Sequence, residues 1–338
     1  MKILVTGCAG FIGFHLTRRL LDKGHHVVGV DNLNGYYSPQ LKHARLAELG
    51  IDPKGLGQGR ECSAGNFSFL HYGIEDAELY LRHLNDASFD VVCHLAAQAG
   101  VRYSITNPDQ YITANIDGFF RILEYCRHRR PGKLVFASSS SVYGNSAKVP
   151  YRESDPTDMP VSLYAATKKA GEALAYSYAS LYGVETIGLR FFTVYGPWGR
   201  PDMAPFLFTK AIMESQPIEV FNHGKMSRDF TYVDDIIEGV CNVMFGEPRG
   251  ERPEKFRIYN IGNSRPVGLG DFIGAIEEAA GKKAERVLMP MQPGDVVTTW
   301  ADTSRLEADY GYAPSTPIEA GIKAFMEWYK DFYGNLKN

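Results

Sequence analysis

A tyrosine and a lysine with the spacing YxxxK lie near the middle of the chain, as Tyr164 and Lys168. On a helix these two side chains stand one turn apart on the same face. A neighbouring ammonium lowers the pKa of a phenol from its ordinary value of about 10, so tyrosinate becomes accessible near neutral pH. Such a group can take the proton of a substrate hydroxyl while hydride leaves the same carbon. We therefore predict that Tyr164 is a base and that Lys168 supports it.

A run of four serines precedes this pair and ends an apolar segment. A hydroxyl of Ser139, Ser140 or Ser141 would share the same substrate oxygen, and the sequence leaves open which of the three does so. YxxxK alone is a weak signal, because Tyr333 and Lys337 also match it in the C-terminal tail, where we interpret it as chance. The simpler interpretation is an aromatic residue on a core-facing helix beside a polar turn.

A glycine-rich turn at the N-terminus strengthens the catalytic interpretation. Gly7, Gly10 and Gly13 follow an apolar strand and open a helical pattern. Glycines there let backbone N–H groups approach a pyrophosphate at the positive end of the helix. Asp31 ends the next strand, 18 residues past Gly13, and a carboxylate there binds ribose hydroxyls and repels a 2′-phosphate. Asn32 follows instead of an arginine, so we predict NAD rather than NADP.

The composition excludes several classes of protein. The 338 residues are 44% hydrophobic and 22% charged, with a net charge of −3, which gives no basic field for a nucleic acid or an anionic membrane. The N-terminus lacks the apolar run and cleavage site of a signal peptide. Five scattered cysteines without a CxxC pair are typical of a reducing compartment, and the histidines lack metal-ligand spacing. We expect a cytoplasmic protein that binds no metal.

Apolar runs that alternate with helical patterns predict the architecture. Strands are predicted at residues 2–6, 26–31, 67–73, 89–96, 133–138 and 185–191, and helices at 14–23, 111–129 and 165–181. This alternation indicates βαβ units in a parallel sheet covered by helices on both faces. Residues 38–66 look like a surface insertion. The predicted fold class is α/β, a Rossmann-type doubly wound parallel sheet with a smaller C-terminal substrate-binding α/β domain.

The alternating rhythm breaks after residue 192, where a turn-rich stretch begins. Beyond it the pattern predicts helices at 206–214, 270–280 and 316–332 and a strand at 255–261. We therefore predict an NAD-binding domain over residues 1–191, with a return segment near 229–263. Residues 192–228 and 264–338 would form a substrate-binding domain.

These residues resemble the extended short-chain dehydrogenase/reductases, in particular the nucleotide-sugar epimerases and dehydratases. The motifs that carry the resemblance are the 7–13 turn, HLAA at 94–97, Asn115, the Ser–Tyr–Lys set and RDFTYVDD at 228–235. The resemblance covers nearly the whole chain. It implies a UDP-sugar substrate, which makes residues 192–228 and 264–338 a sugar-nucleotide-binding domain. It also implies a homodimer that pairs through the helices at 111–129 and 165–181 in a four-helix bundle.

The resemblance also implies roles for individual residues. The residues expected to bind the cofactor are Gly7, Gly10, Phe11, Ile12, Gly13, Asp31, Asn32, Ile74, Leu95, Ala96, Ala97, Asn115, Tyr164, Lys168 and Phe191. Arg228 would meet the diphosphate of the substrate and Asp295 its uridine ribose. Many epimerases carry arginine where this chain has Gln292, which leaves more of the phosphate charge to Arg228.

The serines indicate which reaction of this family to expect. Dehydratases place an Asp-Glu pair where this chain has Ser140 and Ser141, and serine cannot remove a C–H proton. Decarboxylating relatives also tend to carry a glutamate near this place. Epimerisation at C4 through a 4-keto sugar remains, with no net redox change and a cofactor that stays bound.

The segment 190–203 is the part of the sequence that indicates which sugar the substrate carries. It resembles the corresponding stretch of UDP-glucuronate 4-epimerases of capsule and lipopolysaccharide biosynthesis, in which the counterparts of Thr193 and Arg200 lie near the sugar carboxylate. A guanidinium fork matches a carboxylate, and a neutral sugar would leave it unpaired. Arg102 is a second expected contact. Alternatively, Arg200 caps a turn or pairs with Asp202.

Two other functions stay open at this point. One is a 4-epimerase of neutral UDP-hexoses, such as UDP-glucose or UDP-N-acetylglucosamine. The other is a non-catalytic NAD-binding regulator, which would have no need of Ser139, Tyr164 and Lys168 together.

Overall fold

A large parallel sheet with helices on both faces forms the centre of the protein. The structure, a computed structural model, describes residues 1–250, 252–292 and 296–335. Its strands are β1 Lys2–Thr6, β2 His26–Asp31, β3 Glu61–Ala64, β4 Phe67–His71, β5 Val91–His94, β6 Lys133–Ser139, β7 Thr186–Phe191, β8 Thr193–Tyr195, β9 Ile218–Val220, β10 Ser227–Arg228, β11 Phe230–Tyr232, β12 Phe256–Ile261, β13 Val267–Gly268 and β14 Arg286–Leu288. Its helices are α1 Phe11–Asp22, α2 Pro39–Glu48, α3 Ala77–Leu79, α4 Tyr103–Thr106, α5 Pro108–Ile112, α6 Phe119–Arg129, α7 Leu163–Tyr182, α8 Ala204–Met213, α9 Val233–Phe245, α10 Leu269–Ala280, α11 Ser304–Tyr310 and α12 Ile318–Asn335.

The main sheet has the strand order β12-β7-β6-β5-β1-β2-β4-β3 in the described part of the chain. Neighbouring strands run parallel except β3, which pairs antiparallel with β4 at one edge. The chain leaves β1 toward β2 on one side and returns to β5 on the other. Ligands of such sheets bind where the strand order reverses, at the carboxyl ends of the strands. The predicted Rossmann-type α/β fold is confirmed.

Each face of the sheet has its own apolar core. Ile3 and Val5 of β1 are fully buried with residues of α1 and α9, whereas Leu4 is fully buried on the opposite face with residues of α6 and α7. Side chains alternate along a strand, so a run without polar residues fills both cores. This explains why the central strands have near-continuous apolar sequences.

Most of the predicted elements occur with shifted ends, but the helix expected over residues 111–129 is interrupted. The structure has α5, then a π-helical turn at Thr113–Gly118, then α6. A π turn inserts one residue into the helical repeat and often marks a functional place. Asn115 lies in this turn and is buried.

The interpretation of residues 38–66 as a surface insertion is wrong. The segment contains α2 and the edge strand β3, and α2 buries Leu41, Lys42, Arg45 and Leu46. Two of these four side chains are cations, which in a sequence are typical of a solvated face. The helix is therefore part of the folded nucleotide-binding half.

A third core lies beyond the large sheet. Tyr195 and Ile212 from one part of the chain pack with Phe272, Ile276 and Ile322 from another. Short two-stranded pairings, β8 with β11, β9 with β14 and β10 with β13, accompany this core.

Helix α7 is fixed at its ends and along its buried face. Ser162 accepts a hydrogen bond from the backbone N–H of Ala165 at 3.1 Å, and Gly183 ends the helix with a left-handed φ of 69°. Between them, the Glu172 carboxylate accepts hydrogen bonds from Nε and Nη2 of Arg190 on β7, at 2.8 and 2.9 Å. Each side chain of this ion pair is only 4% exposed.

We expect an Arg190→Met variant to lose about 3–5 kcal/mol of unfolding free energy, because it leaves Glu172 buried without its partner. The matched control is Arg82→Met, which breaks an ion pair with Glu78 whose side chains are both 64% exposed, and which should lose less than about 1 kcal/mol. Urea unfolding followed by circular dichroism measures both. Equal losses in the two variants would contradict the buried pair's contribution.

Candidate active site

The turn between β1 and α1 has no room for side chains at its glycines. A Cβ atom on Gly13 would lie 2.0 Å from the carbonyl oxygen of Gly7, and one on Gly7 would lie 2.8 Å from the backbone nitrogen of Ala96. Gly7 also has a φ of 74°, which glycine adopts without strain. The first N–H groups of α1 are thus left accessible at the helix's positive end, an arrangement suited to a phosphate.

Asp31 lies beside this turn and is 7% exposed. Its carboxylate accepts hydrogen bonds from the backbone N–H groups of Ala9, at 3.2 Å, and Leu33, at 2.9 Å. Nζ of Lys42 lies 3.3 Å from the same carboxylate and is a neighbour that the sequence did not reveal. Lys42 comes from α2, the helix we had interpreted as part of an insertion.

The serines and the YxxxK pair meet at the carboxyl end of β6. The Ser139 hydroxyl donates to Ser141 Oγ at 3.1 Å, and Ser139 also acts to lower the pKa of Tyr164. Nζ of Lys168 donates to the carbonyl oxygen of Ala137 at 2.9 Å. Of the three candidate serines, Ser139 is the one that acts on the pKa of the phenol, and which of them binds the substrate oxygen stays a prediction.

The electrostatics of Tyr164 differ from the expectation. Burial raises the pKa of Tyr164, while the hydrogen bond from Ser139 and the charge of Arg200 act to lower it. Burial also lowers the pKa of Lys168 to about 8. The ammonium of Lys168 donates to a backbone carbonyl and not to the phenol. In the protein without ligands it therefore does not bring the pKa of Tyr164 toward neutrality, as we had expected from the sequence.

One cavity of about 380 Å³ brings most of the predicted site residues together. The predicted residues that line it are Gly7, Gly10, Phe11, Ile12, Gly13, Asp31, Asn32, Ile74, Leu95, Ala96, Ala97, Ser139, Ser140, Ser141, Tyr164, Lys168, Phe191, Thr193 and Arg200. Its wall also includes residues that the sequence did not indicate, among them Tyr36, Tyr37, Lys42 and Gln98. Nothing in the single sequence marks Tyr36, Tyr37 and Lys42 as site residues, because their place on the wall depends on contacts between distant segments.

Three predicted residues lie away from this wall. Asn115 bonds the backbone of Gln98 through both side-chain atoms, at 2.8 and 3.0 Å, and also reaches Thr167, so it holds the loop after β5 against α7. Arg102 lies over the ring of Phe221. Arg228 donates to the carbonyl oxygens of Ser227 and Val297. Asp295 lies outside the described residues.

Arg200 lines the cavity and is at the same time paired within the chain. Its Nε and Nη2 atoms bind the Asp202 carboxylate at 3.0 and 2.6 Å, and the Tyr36 hydroxyl donates to that carboxylate at 2.8 Å. Although burial favours the neutral acid, Arg200 holds the pKa of Asp202 below its usual range. Burial raises the pKa of Tyr36 to about 12, so it remains a donor at neutral pH. The structure therefore shows the pairing of Arg200 with Asp202, and contact of Arg200 with a sugar carboxylate stays a prediction.

Comparisons with known proteins agree with this geometry. The sequence model of the NAD dependent epimerase/dehydratase family matches residues 3–262. Protein CapI of Staphylococcus aureus is 48% identical over 98% of this chain and 99% of its own. UDP-glucuronate 4-epimerase 4 of Arabidopsis thaliana is 44% identical over 100% of this chain and 77% of its own.

A solved structure is similar along almost the entire chain. It is the UDP-glucuronic acid 4-epimerase of Bacillus cereus in complex with UDP-glucuronic acid and NAD, with a TM-score of 0.87 and 35% identity over 98% of this chain and 100% of that one. A doubly wound sheet with a glycine turn and a Ser–Tyr–Lys set defines a dinucleotide-dependent enzyme of the short-chain dehydrogenase/reductase class. The chain belongs to the NAD dependent epimerase/dehydratase family, which confirms the resemblance.

The residues present fit NAD. The turn at Gly7, Gly10 and Gly13 is a cradle whose backbone packs too closely to admit a Cβ, and it faces the cavity beside the Asp31 carboxylate. Asp31 can accept hydrogen bonds from ribose hydroxyls, and Lys168 reaches the same cavity from α7. In residues 1–250, 252–292 and 296–335, no three His, Cys, Asp or Glu side chains group to hold a metal ion. No helix of those same residues is long and apolar enough to cross a bilayer.

A Gly13→Ala variant is expected to lose most of its bound NAD, because the new methyl group would meet the Gly7 carbonyl oxygen at 2.0 Å. The measurement is NAD per protomer, released from the purified protein by acid and quantified enzymatically. Gly274→Ala is the matched control, since Gly274 also lies on a helix but has nothing within 4 Å of a new Cβ. Full NAD content in Gly13→Ala would contradict the assignment of the cradle.

Proposed function

We propose that the protein interconverts UDP-glucuronate and UDP-galacturonate by epimerisation at C4, with Tyr164 as the base. The observation that carries the proposal is that Arg200 lies on the wall of the same cavity as Ser139, Tyr164 and Lys168. A cation that binds carboxylates thus faces the residues able to act on a sugar hydroxyl. The activity of the Arabidopsis and Bacillus relatives supports the same substrate.

The reacting groups have complementary tasks. NAD, held by the Gly7–Gly13 turn and Asp31, would supply the acceptor for hydride from C4 and the donor for its return to the opposite face of the oxidised sugar. Tyr164 takes the proton of the C4 hydroxyl, and Ser139, which acts to lower the pKa of Tyr164, shares the same oxygen. Lys168 holds a positive charge at the floor of the site up to about pH 8. Ser140 and Ser141 supply no acid or base for dehydration, so the site returns the sugar as its epimer.

The remaining substrate contacts are also proposals. Arg228 would bind the diphosphate and Asp295 the uridine ribose, with Arg102 and Thr193 near the sugar. Arg228, Asp295 and Thr193 belong to a sugar-nucleotide-binding domain formed by residues 192–228 and 264–338, whereas Arg102 comes from the NAD-binding domain of 1–191 and 229–263. The core shared by Tyr195, Ile212 and Phe272 supports this division, because it unites the two separate segments.

A 4-epimerase of neutral UDP-hexoses is the second candidate, and one contact favours it. Arg200 already has a carboxylate partner in Asp202, so a neutral sugar would not leave the guanidinium unpaired. The sequence suggested that UDP-glucose would bind weakly because it leaves Arg200 unpaired. With Asp202 as the partner of Arg200, this loss of binding free energy is smaller. Only a direct comparison of substrates separates the two activities.

The test is incubation of the purified protein with UDP-glucuronate and no added NAD, followed by anion-exchange chromatography. We expect UDP-galacturonate, because the cofactor is retained through turnover. Tyr164→Phe should lower the rate by about 10²–10⁴-fold, since it removes the proton acceptor. Arg200→Ala should lower kcat/KM for the uronate by about 10–100-fold, since a charged hydrogen bond is lost.

The other outcomes assign the chain differently. Conversion of UDP-glucose or UDP-N-acetylglucosamine alone, unaffected by Arg200→Ala, would establish the neutral-sugar enzyme. If none of these UDP-sugars is converted, even with NAD added, the result would favour the NAD-binding regulator and refute the proposed reaction.

We further propose a homodimer formed through the face of α5, α6 and α7, for which exposed apolar side chains are the support. Ile112, Phe120 and Leu181 are 43%, 46% and 69% exposed on these helices. Apolar patches of this kind mark interaction surfaces, and a two-fold axis would pair the helices into a four-helix bundle. We place the dimer in the cytoplasm, which agrees with five cysteines that are free thiols.

Light scattering at micromolar concentration is expected to give a dimer mass that Phe120→Glu lowers to a monomer, because a charge at the centre of the face is desolvated on pairing. Leu207→Glu is the control, since Leu207 is 50% exposed on α8, outside the proposed face. A monomeric parent protein, or dissociation by the control to the same extent, would refute the interface.

A further inference from the structure

The loop that carries Arg200 has a strained backbone conformation. Trp198 has a left-handed φ of 60°, which is costly for a residue with a large side chain, and Gly196 has a φ of 144°. A Cβ atom on Gly199 would lie 2.9 Å from the carbonyl oxygen of Gly196. A turn this tight persists only when neighbouring groups fix it, so the groups that hold it determine where Arg200 lies.

Two buried side chains from the nucleotide-binding half hold this loop. Nε2 of His15, on α1, lies 2.9 Å from the carbonyl oxygen of Pro197. Nη2 of Arg45, on α2, donates to the carbonyl oxygen of Trp198 at 2.6 Å. The Trp198 ring also packs against Phe14 of α1, with 5.4 Å between the ring centroids. The loop is therefore fastened to α1 and α2.

Arg45 connects this loop to the glycine turn. The side chain is fully buried, and its Nη1 atom donates to the carbonyl oxygen of Ala9 and to the Tyr37 hydroxyl, each at 2.8 Å. Arginine keeps its charge and presents a planar fork of donors, so one guanidinium can span two carbonyl oxygens in fixed geometry. A single side chain thus joins the turn beneath the cofactor site to the loop that faces the sugar.

His15 adds a second fixed point. Burial lowers the pKa of His15 to about 3, so the ring is neutral at physiological pH and donates from Nε2 to Pro197. At the far end of the loop, the Tyr36 hydroxyl donates to Asp202, the partner of Arg200. Each of these donors comes from the nucleotide-binding half of the chain.

We propose that Arg45 is a positioning residue for sugar specificity: by fixing the backbone at Trp198 it sets Arg200 where a sugar carboxylate can be bound. The inference rests on the proposed function, since it concerns the substrate's carboxylate. To form two hydrogen bonds with a carboxylate, the Arg200 guanidinium must be placed to within about 0.5 Å. Without the hydrogen bond from Arg45, the strained loop would relax and Arg200 would move. Arg45 is absent from the cavity wall, so its effect on carboxylate recognition passes through the loop that carries Arg200.

The experiment is a double-mutant cycle on carboxylate recognition. Dissociation constants of UDP-glucuronate and UDP-glucose are measured by calorimetry on the NAD-saturated protein in a Tyr164→Phe background, where turnover is blocked. The ratio of the two constants isolates the carboxylate, since the ligands differ only there. We expect Arg45→Met to lower this preference for the uronate by about 10-fold and to change UDP-glucose binding by less than about 3-fold.

The cycle distinguishes positioning from general damage. In an Arg200→Ala background, Arg45→Met should change the preference by less than about 2-fold, because the residue through which it acts is gone. Arg18→Met, which removes an exposed arginine of α1, is the matched control and should leave the preference unchanged. Equal weakening of both ligands by Arg45→Met, or additive effects of Arg45→Met and Arg200→Ala, would overturn the proposal.

A second variant serves if Arg45→Met does not fold. His15→Leu removes one hydrogen bond to the same loop, and we expect it to lower the uronate preference as well. An unchanged preference in that variant would overturn the inference. A parent protein without any uronate preference would refute the proposed function itself, a result visible before Arg45 is altered.

Discussion

The buried ion pair between Glu172 and Arg190 fixes α7, which carries Tyr164 and Lys168, against the large sheet. Glu172 lies on α7 about two turns beyond Tyr164, and Arg190 lies on β7, the neighbour of the strand that ends in the serines. The same carboxylate accepts the hydroxyl of Ser138 at 2.6 Å. Because α7 cannot shift along the sheet without breaking these bonds, charges that lie behind the cavity fix the separation between Tyr164 and Ser139.

Features with a local pattern could be predicted from the sequence. The glycine turn, Asp31 and the Tyr164–Lys168 pair depend on short spacings within single elements, and the structure brings all of them to one cavity. The fold class followed from the same regularity, since continuous apolar strands alternating with helices leave few alternatives to a doubly wound sheet. Spacing did not predict the ionisation of Tyr164, which depends on burial and on the direction in which Lys168 donates.

Features that depend on contacts between distant segments could not be predicted. Lys42 and Arg45 are cations in a polar stretch, and nothing near them in the chain indicates that carbonyl oxygens at Ala9 and Trp198 enclose one of them. The π turn at Asn115 interrupts a helix whose apolar periodicity looks unbroken. For Arg200 the sequence offered two partners, a sugar carboxylate or Asp202. It could not decide between them, because Asp202 is close enough in sequence to compete with any ligand.

The contacts of the 196–200 loop bear on how proteins of this family could be recombined. A chimera with a junction at residue 192 would take the loop away from His15 and Arg45, the donors that hold its carbonyl groups. Sugar-binding segments transferred to another dinucleotide-binding domain would then lack the hydrogen bonds that hold the backbone of this loop. A graft that keeps the loop's shape has to carry α1 and α2 with it, so the smallest transferable unit of specificity extends well into the nucleotide-binding half.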